Sequence, residues 1–260
     1  MSLNYRTLWI SDVHLGTSAC RAEDLLEFLD AVTADKIFLV GDIIDLERME
    51  TRAVFPDSHR QVLARILQLS QSGTEVVYIP GNHDYQMRQL VGRDILGVPV
   101  MFEASHVRAD GHRMLVKHGD LLDAEIRQGS GLGLFGASAY RVLVNLDVAV
   151  NKLRSRLGRQ FLSVSANVKA RLASADEYIR QFEQLAARHA ADRGFDGIVC
   201  GHIHQPRIRY IDGIHYANDG DWVESRTAIG ETKDGVLEVL RWQEGSVATE
   251  STPVAARKAA

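Results

Sequence analysis

Residues 36–45, KIFLVGDIID, join a short apolar run to a polar end. Consecutive apolar residues without alternation predict a strand that is buried on both faces. Gly41 and Asp42 then end the strand in a loop. The same design recurs at 6–11, RTLWIS, which runs into DVHLGTS, and at 75–84, EVVYIPGNHD. The repetition indicates several buried strands that each end in a polar loop.

Helical patterns lie between these strands. Residues 20–32, CRAEDLLEFLDAV, and 59–73, HRQVLARILQLSQSG, have helical apolar spacing, and Gly73 is the expected C-cap of the second. Interleaved strands and helices predict a layered α/β architecture. Further strands are predicted later in the chain, at 106–110 and 113–120 around a turn at Gly111, at 207–219 as a hairpin around Asp212-Gly213, and at 236–242. We expect a single domain, 1–260, with a helical insert at about 124–195 and a loose tail.

The composition is that of a soluble globular protein. The chain has 260 residues, 45% of them hydrophobic and 25% charged. Its formal net charge of -4 disfavours a dedicated nucleic-acid binder, which is usually basic. Cys20 and Cys200 match no zinc-ligand spacing and are expected to be reduced thiols. The first residues lack the parts of a secretory signal, and no run approaches the roughly 18 apolar residues of a membrane span, so a cytoplasmic location is expected.

Five apolar runs end in Asp, Asn or His beside a glycine. They read SDVHLG (11–16), GDIIDL (41–46), GNHDY (81–85), KHGDL (117–121) and GHIHQP (201–206). Any one of them is explained equally well by ordinary turn chemistry. Five together supply many carboxylate, imidazole and amide donors, which suit divalent Mn, Fe, Zn or similar ions. In an extended segment His202 and His204 would point to the same side, so this pair either binds a metal or forms a polar strand end. The set as a whole predicts a site for more than one metal.

The ordered motifs D-x-H, G-D, G-N-H-D, H-G-D and G-H-x-H span residues 12–204. This set resembles the calcineurin-like metallophosphoesterase superfamily. The resemblance implies a mixed α/β fold, of four α+β layers, in which helices flank a two-sheet β-sandwich and the metals lie at one edge. It assigns Asp12, His14 and His204 to one metal and Asn82, His118 and His202 to the other. Asp42 would bridge the two.

The chemistry of phosphoryl transfer favours the same division. Two ions, with manganese expected and iron, zinc or magnesium as alternatives, can clamp a phosphoryl group and activate a bound water as the nucleophile. A carboxylate is the natural bridge because its two oxygens can each face one cation. His83 is the candidate general acid or transition-state donor, with Asp84 orienting its ring, and the alternative for His83 is a turn histidine without a catalytic role. Asp45 occupies the position at which the ferric-tyrosinate purple acid phosphatases have a tyrosine, so that branch is disfavoured.

The insert has the features of a cap over an amphiphile. In residues 140–158 apolar side chains keep helical spacing at Val142, Leu146, Ala149, Val150, Leu153 and Leu157. From Lys152 to Arg171 there are six basic residues without an intervening acid: Lys152, Arg154, Arg156, Arg159, Lys169 and Arg171. An apolar face beside a basic cluster suggests an anionic amphiphile as substrate. The alternative is a helical hairpin that packs on the sandwich with a solvated basic face.

The insert, with SANVKARLASADEY (165–178) and NDGDWVES (218–225), resembles the UDP-2,3-diacylglucosamine pyrophosphatase-type branch. That branch hydrolyses a nucleotide-linked lipid A precursor at the cytoplasmic face of the membrane, which would make peripheral membrane contact part of the function. Lys169 and Arg171 would then meet the phosphates or the sugar of the substrate. The best-known members carry arginine where this chain has His83, so the metal chemistry is a firmer expectation than the substrate.

Other functions remain open. One is hydrolysis of a soluble phosphodiester or phosphomonoester, in nucleotides or phosphoproteins, with a purely structural insert. A second is a binding module that has lost catalysis, which the full set of seven ligands and His83 disfavours. A DNA nuclease is a minor option because of the local basic cluster, although nucleic acid is not the expected partner. No obligate protein partner is expected.

Overall fold

The computed structural model describes residues 3–123 and 165–251. The chain divides into two compact units, one of Met1–Asp120 with Leu185–Ala260 and one of Leu121–Gln184. The helical insert predicted at 124–195 overlaps the second unit. Its apolar positions between 142 and 157 lie outside the described residues, so both the cap and the single domain stay predictions.

The first unit contains two sheets. The larger has the strand order β13-β12-β11-β1-β2-β3, and the smaller has the order β6-β7-β8-β10-β9. The strands of the first sheet are β1 (Leu3–Ile10), β2 (Val32–Val40), β3 (Glu75–Ile79), β11 (Thr227–Glu231), β12 (Leu237–Gln243) and β13 (Ser246–Ser251). Those of the second are β6 (Ala104–Val107), β7 (Arg113–Val116), β8 (Gly197–Cys200), β9 (Arg207–Ile211) and β10 (Ile214–Asn218). A two-stranded ribbon is formed by β4 (Asp94–Ile95) and β5 (Val98–Pro99).

Each sheet has a parallel centre. Strands β1, β2 and β3 pair in parallel, as do β7, β8 and β10, and the outer strands of both sheets add antiparallel. The hairpin predicted around Asp212-Gly213 is confirmed by the pairing of Ile214 with Ile211. Because parallel neighbours end at the same edge, the loops that follow the central strands are brought together.

The described helices are α1 (Ala22–Ala31), α2 (Leu46–Arg52), α3 (Asp57–Gln71) and α4 (Ser165–Asp192), with a 3₁₀ turn at Tyr85–Leu90. In α1 the spacing of Leu25, Phe28 and Leu29 places all three on one buried face. Helix α3 ends at Gln71 with Ser72 as its C-cap, one residue before the predicted Gly73. Gly73 follows the cap with a φ of +103°, which favours glycine. No described helix combines the length and apolarity needed to cross a membrane.

The central strands of the larger sheet are buried on both faces, which explains their uninterrupted apolar runs. One face packs against the smaller sheet through Trp9, Phe38, Val77, Met114, Val199 and Ala217. The other packs against α1 and α3 through Leu8, Leu39, Leu25, Phe28, Val62 and Ile66. Burial of each large apolar side chain contributes about 1.5–3 kcal/mol relative to exposure. The predicted two-sheet sandwich flanked by helices is confirmed.

Several elements were not predicted from the sequence, among them the ribbon β4–β5, the 3₁₀ turn at Tyr85–Leu90, α2, β11 and β13. Helix α2 has only seven residues, none of them buried, so it has no apolar stripe. Strand β13 lies at the edge of its sheet and its residues are exposed or half-buried, which removes the apolar signal. Strand β11, TAIGE, is fully buried but has only five residues and includes a glycine. Each is positioned by tertiary contacts rather than by its own pattern.

Glu231 ties the two sheets together at the end opposite the predicted ligands. Its carboxylate accepts a hydrogen bond from Arg6 of β1 at 2.9 Å and lies 2.7 Å from Nε2 of His106 in β6. The backbone N–H of Ala109 donates to the same carboxylate at 2.8 Å. The side chain is fully buried. A buried carboxylate with three partners is costly to remove, because its partners are then left unpaired.

We expect Glu231→Ala to lower the free energy of unfolding by about 3 to 5 kcal/mol, the usual cost of breaking a buried charge pair. Denaturant titration monitored by circular dichroism measures this change. The matched control is Asp35→Ala, which breaks the exposed pair of Asp35 with Lys233. The control should change stability by less than about 1 kcal/mol. An equal effect of both variants would contradict the role of Glu231.

Candidate metal centre

The predicted ligands lie in loops at one edge of the two sheets. Asp12 and His14 follow β1, Asp42 follows β2, and Asn82 follows β3. His118 follows β7, and both His202 and His204 follow β8. Parallel pairing therefore gathers residues that are almost 200 positions apart in the chain.

The first group of donors is Asp12, His14 and His204, whose nearest ligand atoms all lie within 4.8 Å of one another. Oδ1 of Asp12 is 3.0 Å from Nε2 of His204 and 3.8 Å from Nε2 of His14. The carboxylate is fully buried, and the two imidazoles are mostly so. One carboxylate and two imidazoles that converge in this way can hold a divalent cation.

The second group surrounds His118. Its Nε2 lies 3.3 Å from Oδ2 of Asp42 and 3.3 Å from Oδ1 of Asn82. The ring of His202 is 5.2 Å away between centroids. Asp12, Asp42 and His118 also form a group within 4.8 Å, so the two sets of donors are contiguous through the two aspartates. A carboxylate shared between two ions fits this arrangement, and the assignment of that bridge to Asp42 stays a prediction.

Several ligand positions have an unusual backbone. Nine described non-glycine residues have a positive φ. Five of them are the predicted ligands Asp12 (50°), His14 (55°), Asp42 (54°), His202 (70°) and His204 (54°). Such conformations cost about 1–3 kcal/mol each and persist only where the surroundings impose them, typically at functional sites. Their concentration here is an independent indication of a functional site.

The extended geometry expected for His202 and His204 is wrong. Strand β8 ends at Cys200, and both histidines have left-handed backbones. Their rings reach different neighbours, with His202 beside His118 and His204 beside His14 at 5.7 Å. The division between two groups therefore arises from a tight turn rather than from strand alternation.

Hydrogen bonds fix which ring nitrogen of His118 and of His14 faces the centre. Nδ1 of His118 lies 2.8 Å from the Val40 carbonyl oxygen, which can only accept, so Nδ1 carries the proton and Nε2 is free to bind a metal. Nδ1 of His14 lies 3.1 Å from Oδ2 of Asp45, which leaves its Nε2 facing Asp12. Metal-binding histidines are oriented by partners of this kind.

His83 lies at the rim of the centre, with about a third of its side chain exposed. Its Nδ1 is 3.2 Å from Oδ1 of Asp45 and 3.5 Å from Glu47. Its backbone N–H donates to Oδ1 of Asp42 at 2.8 Å, and its ring lies 4.8 Å from that of His14. These contacts leave Nε2 of His83 as the nitrogen available to a substrate.

The orienting role predicted for Asp84 is wrong, because its carboxylate faces away from the His83 ring. Oδ1 accepts from the backbone N–H of Gly81 at 2.6 Å, and Oδ2 accepts from Ile43 N–H at 3.0 Å and from the Tyr78 hydroxyl at 2.5 Å. Asp84 therefore holds the loops that carry Asp42 and Asn82. Asp45 takes the orienting role, and one carboxylate serves both His83 and His14.

Glycine is required where the loops meet. A Cβ atom at Gly81 would overlap Oδ1 of Asp42. The glycines that precede Asp42, Asn82 and His202 therefore reflect close approach as well as turn geometry. This explains why three of the five predicted strand ends have a glycine directly before a predicted ligand.

The acids and imidazoles of the centre neutralise one another. Burial alone would raise the pKa of Asp12, but His204, His118 and His14 outweigh it and the pKa is lowered. Burial alone would lower the pKa of His204, but Asp12 and Asp221 raise it to about 9. Likewise Asp42 and Asp12 hold the pKa of His118 well above its usual value against the effect of burial. A divalent cation supplies the positive charge that these protons otherwise provide, so the donor set fits a metal.

Three further residues of the site were not predicted as functional. Asp45 is one of them, although its place three residues after Asp42 is a signal in the sequence that could have identified it. Ser11 and Asp219 contact each other behind Asp12, and no sequence spacing relates them.

Lys169 and Arg171 lie in α4, in the part whose side chains are outside the described residues, so their predicted contact with substrate stays a prediction.

Comparisons with known proteins identify a matching family and similar relatives. A family model described as calcineurin-like phosphoesterase matches residues 5–206. The UDP-2,3-diacylglucosamine hydrolase of Escherichia coli O81 (strain ED1a) is 27% identical over 216 residues, covering 79% of this chain and 84% of that protein. The protein of the same name from Shigella sonnei (strain Ss046) is 26% identical over 212 residues, with the same coverage.

Two solved structures are also similar. Yfce, a phosphoesterase from E. coli, has a TM-score of 0.48 at 17% identity, with 94% of this chain and 98% of that chain covered. Vps29 of Entamoeba histolytica, complexed with Zn²⁺, has a TM-score of 0.47 at 13% identity, with 95% of this chain and 97% of that chain covered.

We expect Asp42→Ala to bind less than two divalent ions per chain, because His118 and Asn82 then lose the carboxylate that both groups of donors adjoin. Elemental analysis, after the protein has been loaded with Mn²⁺ and desalted, gives the number of bound ions per chain. The control is Asp30→Ala, which removes an exposed carboxylate paired with Arg65 and should leave the metal content unchanged. An Asp42→Ala protein that retains two ions would argue against the bridge.

Proposed function

This chain belongs to the calcineurin-like phosphoesterase family, and from that premise we propose that it hydrolyses the pyrophosphate of a UDP-2,3-diacylglucosamine-like nucleotide-lipid. The observation that carries the hydrolytic chemistry is the pair of contiguous donor groups around Asp12 and Asp42. The substrate is supported by the similarity to UDP-2,3-diacylglucosamine hydrolases over 79% of the chain. The insert also supplies apolar residues for acyl chains and basic residues for phosphates, as an anionic amphiphile requires.

The proposed cofactor is a pair of divalent ions, with manganese preferred. When bound, such a pair supplies charge neutralisation at phosphorus and a water activated for attack at neutral pH. Asp12, His14 and His204 would hold one ion, and Asn82, His118 and His202 the other, with Asp42 shared. The protein's own contribution is to fix these side chains before substrate arrives, through the left-handed loops and the partners of His14 and His118.

His83 is the proposed proton donor. Attack of water on one phosphorus breaks the bond to the bridging oxygen, and the departing phosphate needs a proton or a hydrogen bond at that oxygen. Nε2 of His83 is available for this because Nδ1 faces Asp45. Asp45, then Glu47 and Asp42, also raise the pKa of His83 above its ordinary value against the effect of burial, which favours the protonated donor form. Asp45 therefore both orients the ring and keeps its proton available.

The insert is proposed to bind the lipid part and to bring the protein to the inner face of the membrane. An apolar helical face with adjacent cations suits an acylated, negatively charged molecule, since the acyl chains leave water and the phosphates gain charge-assisted hydrogen bonds. Lys169 and Arg171 are the proposed contacts to phosphate or sugar.

We expect His83→Ala to retain two ions but to lower kcat by about 10²- to 10⁴-fold, the usual loss when a general acid is removed. Steady-state kinetics with parallel metal analysis separates the two effects. His112→Ala is the control, because His112 lies in the turn between β6 and β7 and pairs with Asp110 rather than with the metal centre. Near-normal turnover by the His83 variant would refute the assignment.

For the substrate, we expect manganese-dependent release of UMP from UDP-2,3-diacylglucosamine with a higher kcat/KM than from UDP-N-acetylglucosamine or bis(p-nitrophenyl) phosphate. The soluble sugar nucleotide keeps the pyrophosphate but lacks the acyl chains, so it isolates their contribution. Lys169→Ala and Arg171→Ala should raise KM for the lipid substrate about 10-fold, the scale of a lost charged hydrogen bond. Arg180→Ala, an exposed cation of the same helix paired with Glu177, is the control.

Inactivity on the lipid substrate together with brisk hydrolysis of the simple diester would contradict the proposed substrate. It would favour a soluble phosphodiester or phosphomonoester instead. The presence of His83, where the best-known members of the lipid branch have arginine, makes this comparison the decisive one.

A further inference from the structure

Ser11 occupies a buried position between two carboxyl groups. Its Oγ is 2.5 Å from Oδ2 of Asp12 and 2.6 Å from Oδ1 of Asp219. The carbonyl oxygen of Gly220 is a third acceptor at 3.4 Å. Ser11, Asp12 and Asp219 are all fully buried, so water does not separate these groups.

The number of protons available to these three groups determines their protonation states. A serine hydroxyl has one proton to donate, whereas an ionised carboxylate only accepts. Two short contacts from one hydroxyl to two carboxyl groups therefore need a second proton. One of the two acids must be protonated and must donate to Oγ of Ser11.

The surroundings of Asp12 are those of an anion. Its Oδ2 also accepts the backbone N–H of His202 at 2.9 Å, and its Oδ1 faces Nε2 of His204 at 3.0 Å. Both partners stabilise negative charge on the two oxygens of Asp12. Asp12 is therefore the member of the pair that is ionised.

Asp219 has the opposite surroundings. Its Oδ2 is buried and makes no hydrogen bond within the described part of the chain. An ionised carboxylate with a bare, buried oxygen would be strongly unfavourable, and a buried group avoids this by staying neutral. Burial raises the pKa of Asp219, and the negative charge of Asp12 raises it further.

We propose that Asp219 is a neutral carboxylic acid that donates to Ser11, whose hydroxyl in turn donates to Oδ2 of Asp12. Asp219 is thereby a positioning residue for the metal centre. With Oδ2 held from behind, Oδ1 of Asp12 is turned toward His14 and His204. This inference rests on the proposed metal-dependent function and extends it to residues that do not touch the ions.

The backbone around Asp219 is fixed independently of this contact. Its N–H donates to the Cys200 carbonyl at 3.1 Å, and its carbonyl accepts from the Thr227 hydroxyl at 2.9 Å. The N–H of Trp222 donates to the Asp12 carbonyl at 3.0 Å. A Cβ atom at Gly201 would overlap both Oγ of Ser11 and Oδ2 of Asp12, so the loop after β8 closes directly over the pair. The acid is held in place rather than drawn there by its partner.

The neutral acid also limits the charge of the centre. Asp12 and Asp42 already bring two negative charges into a buried site. A third ionised aspartate behind Asp12 would add repulsion between carboxylates without contacting a cation. A protonated Asp219 gives Asp12 a hydrogen-bonding partner without that charge.

The test compares Asp219→Asn, Asp219→Ala and Ser11→Ala with the unmodified protein. Titration calorimetry with Mn²⁺ gives the dissociation constants, and denaturant unfolding in chelator gives the stability of the metal-free chain. Asparagine is isosteric with the neutral acid, and its amide N–H can donate to Ser11, so Asp219→Asn should bind Mn²⁺ within about threefold of the unmodified protein. Asp219→Ala and Ser11→Ala should bind about 10- to 100-fold more weakly, the scale of losing a residue that orients a ligand.

Infrared spectroscopy detects the protonated carboxyl group of Asp219 directly. The metal-free protein should show the carbonyl stretch of a protonated carboxylic acid, and this band should disappear in Asp219→Asn. The band is independent of activity and of metal binding, so it applies even if Asp219→Ala fails to fold.

Three results would overturn the inference. They are Mn²⁺ binding by Asp219→Asn as weak as that of Asp219→Ala, unchanged binding by both Asp219→Ala and Ser11→Ala, and an infrared band that persists in Asp219→Asn. Failure of the proposed function looks different. In that case the unmodified protein binds no Mn²⁺, while the infrared comparison still decides the state of Asp219.

Discussion

The structure of the site depends on the burial of two carboxylates, Asp12 and Asp42, in contiguous groups of donors. Charges of the same sign in a poorly hydrated environment are costly unless each is neutralised. Imidazoles stabilise the negative charges, since His204 lies 3.0 Å from Asp12 and His118 lies 3.3 Å from Asp42. Backbone N–H groups also stabilise them, with His202 donating to Asp12 and His83 donating to Asp42. The same arrangement that makes the aspartates tolerable in a buried site makes them ready to bind divalent cations.

The rigid parts of the fold bear the strain that this arrangement creates. Loops after β1 and β2 run side by side, with Asp12 N–H donating to the Gly41 carbonyl and His14 N–H donating to the Asp42 carbonyl. These bonds impose left-handed backbones on residues that do not favour them. The parallel strands beneath are buried between a second sheet and a helical layer, so the loop ends cannot drift apart without disturbing the core. Packing and these hydrogen bonds thus hold the loops that carry the predicted ligands.

The sequence predicted the parts of this design that depend on local patterns. Apolar runs predicted the central strands, and the five polar endings predicted the residues that meet at the centre, because strand burial and strand ends are both visible in consecutive residues. The orientation of individual side chains was not accessible in this way. Asp84 follows His83 directly, yet its carboxylate faces Gly81, Ile43 and Tyr78, while Asp45 from another loop reaches the ring. Likewise β13 lacks a pattern because it is an exposed edge, and the turn at His202 and His204 follows from contacts with Asp12 rather than from strand alternation.

The charge of each aspartate is a property of its neighbours, which explains why residue type alone could not rank them. Asp45 accepts from the Arg48 backbone and lies beside His14 and His83, and these partners lower its pKa despite burial. It stays ionised and can orient two imidazoles. Asp219 is buried more deeply, with Ser11 on one oxygen and nothing on the other among the described residues, so it is the neutral member. An ionised acid supports a histidine by accepting its proton, whereas a protonated acid supports a second carboxylate by donating through a hydroxyl. The centre therefore uses both an ionised and a protonated aspartic acid. The number of hydrogen-bond donors around each carboxyl group determines which of the two states it adopts.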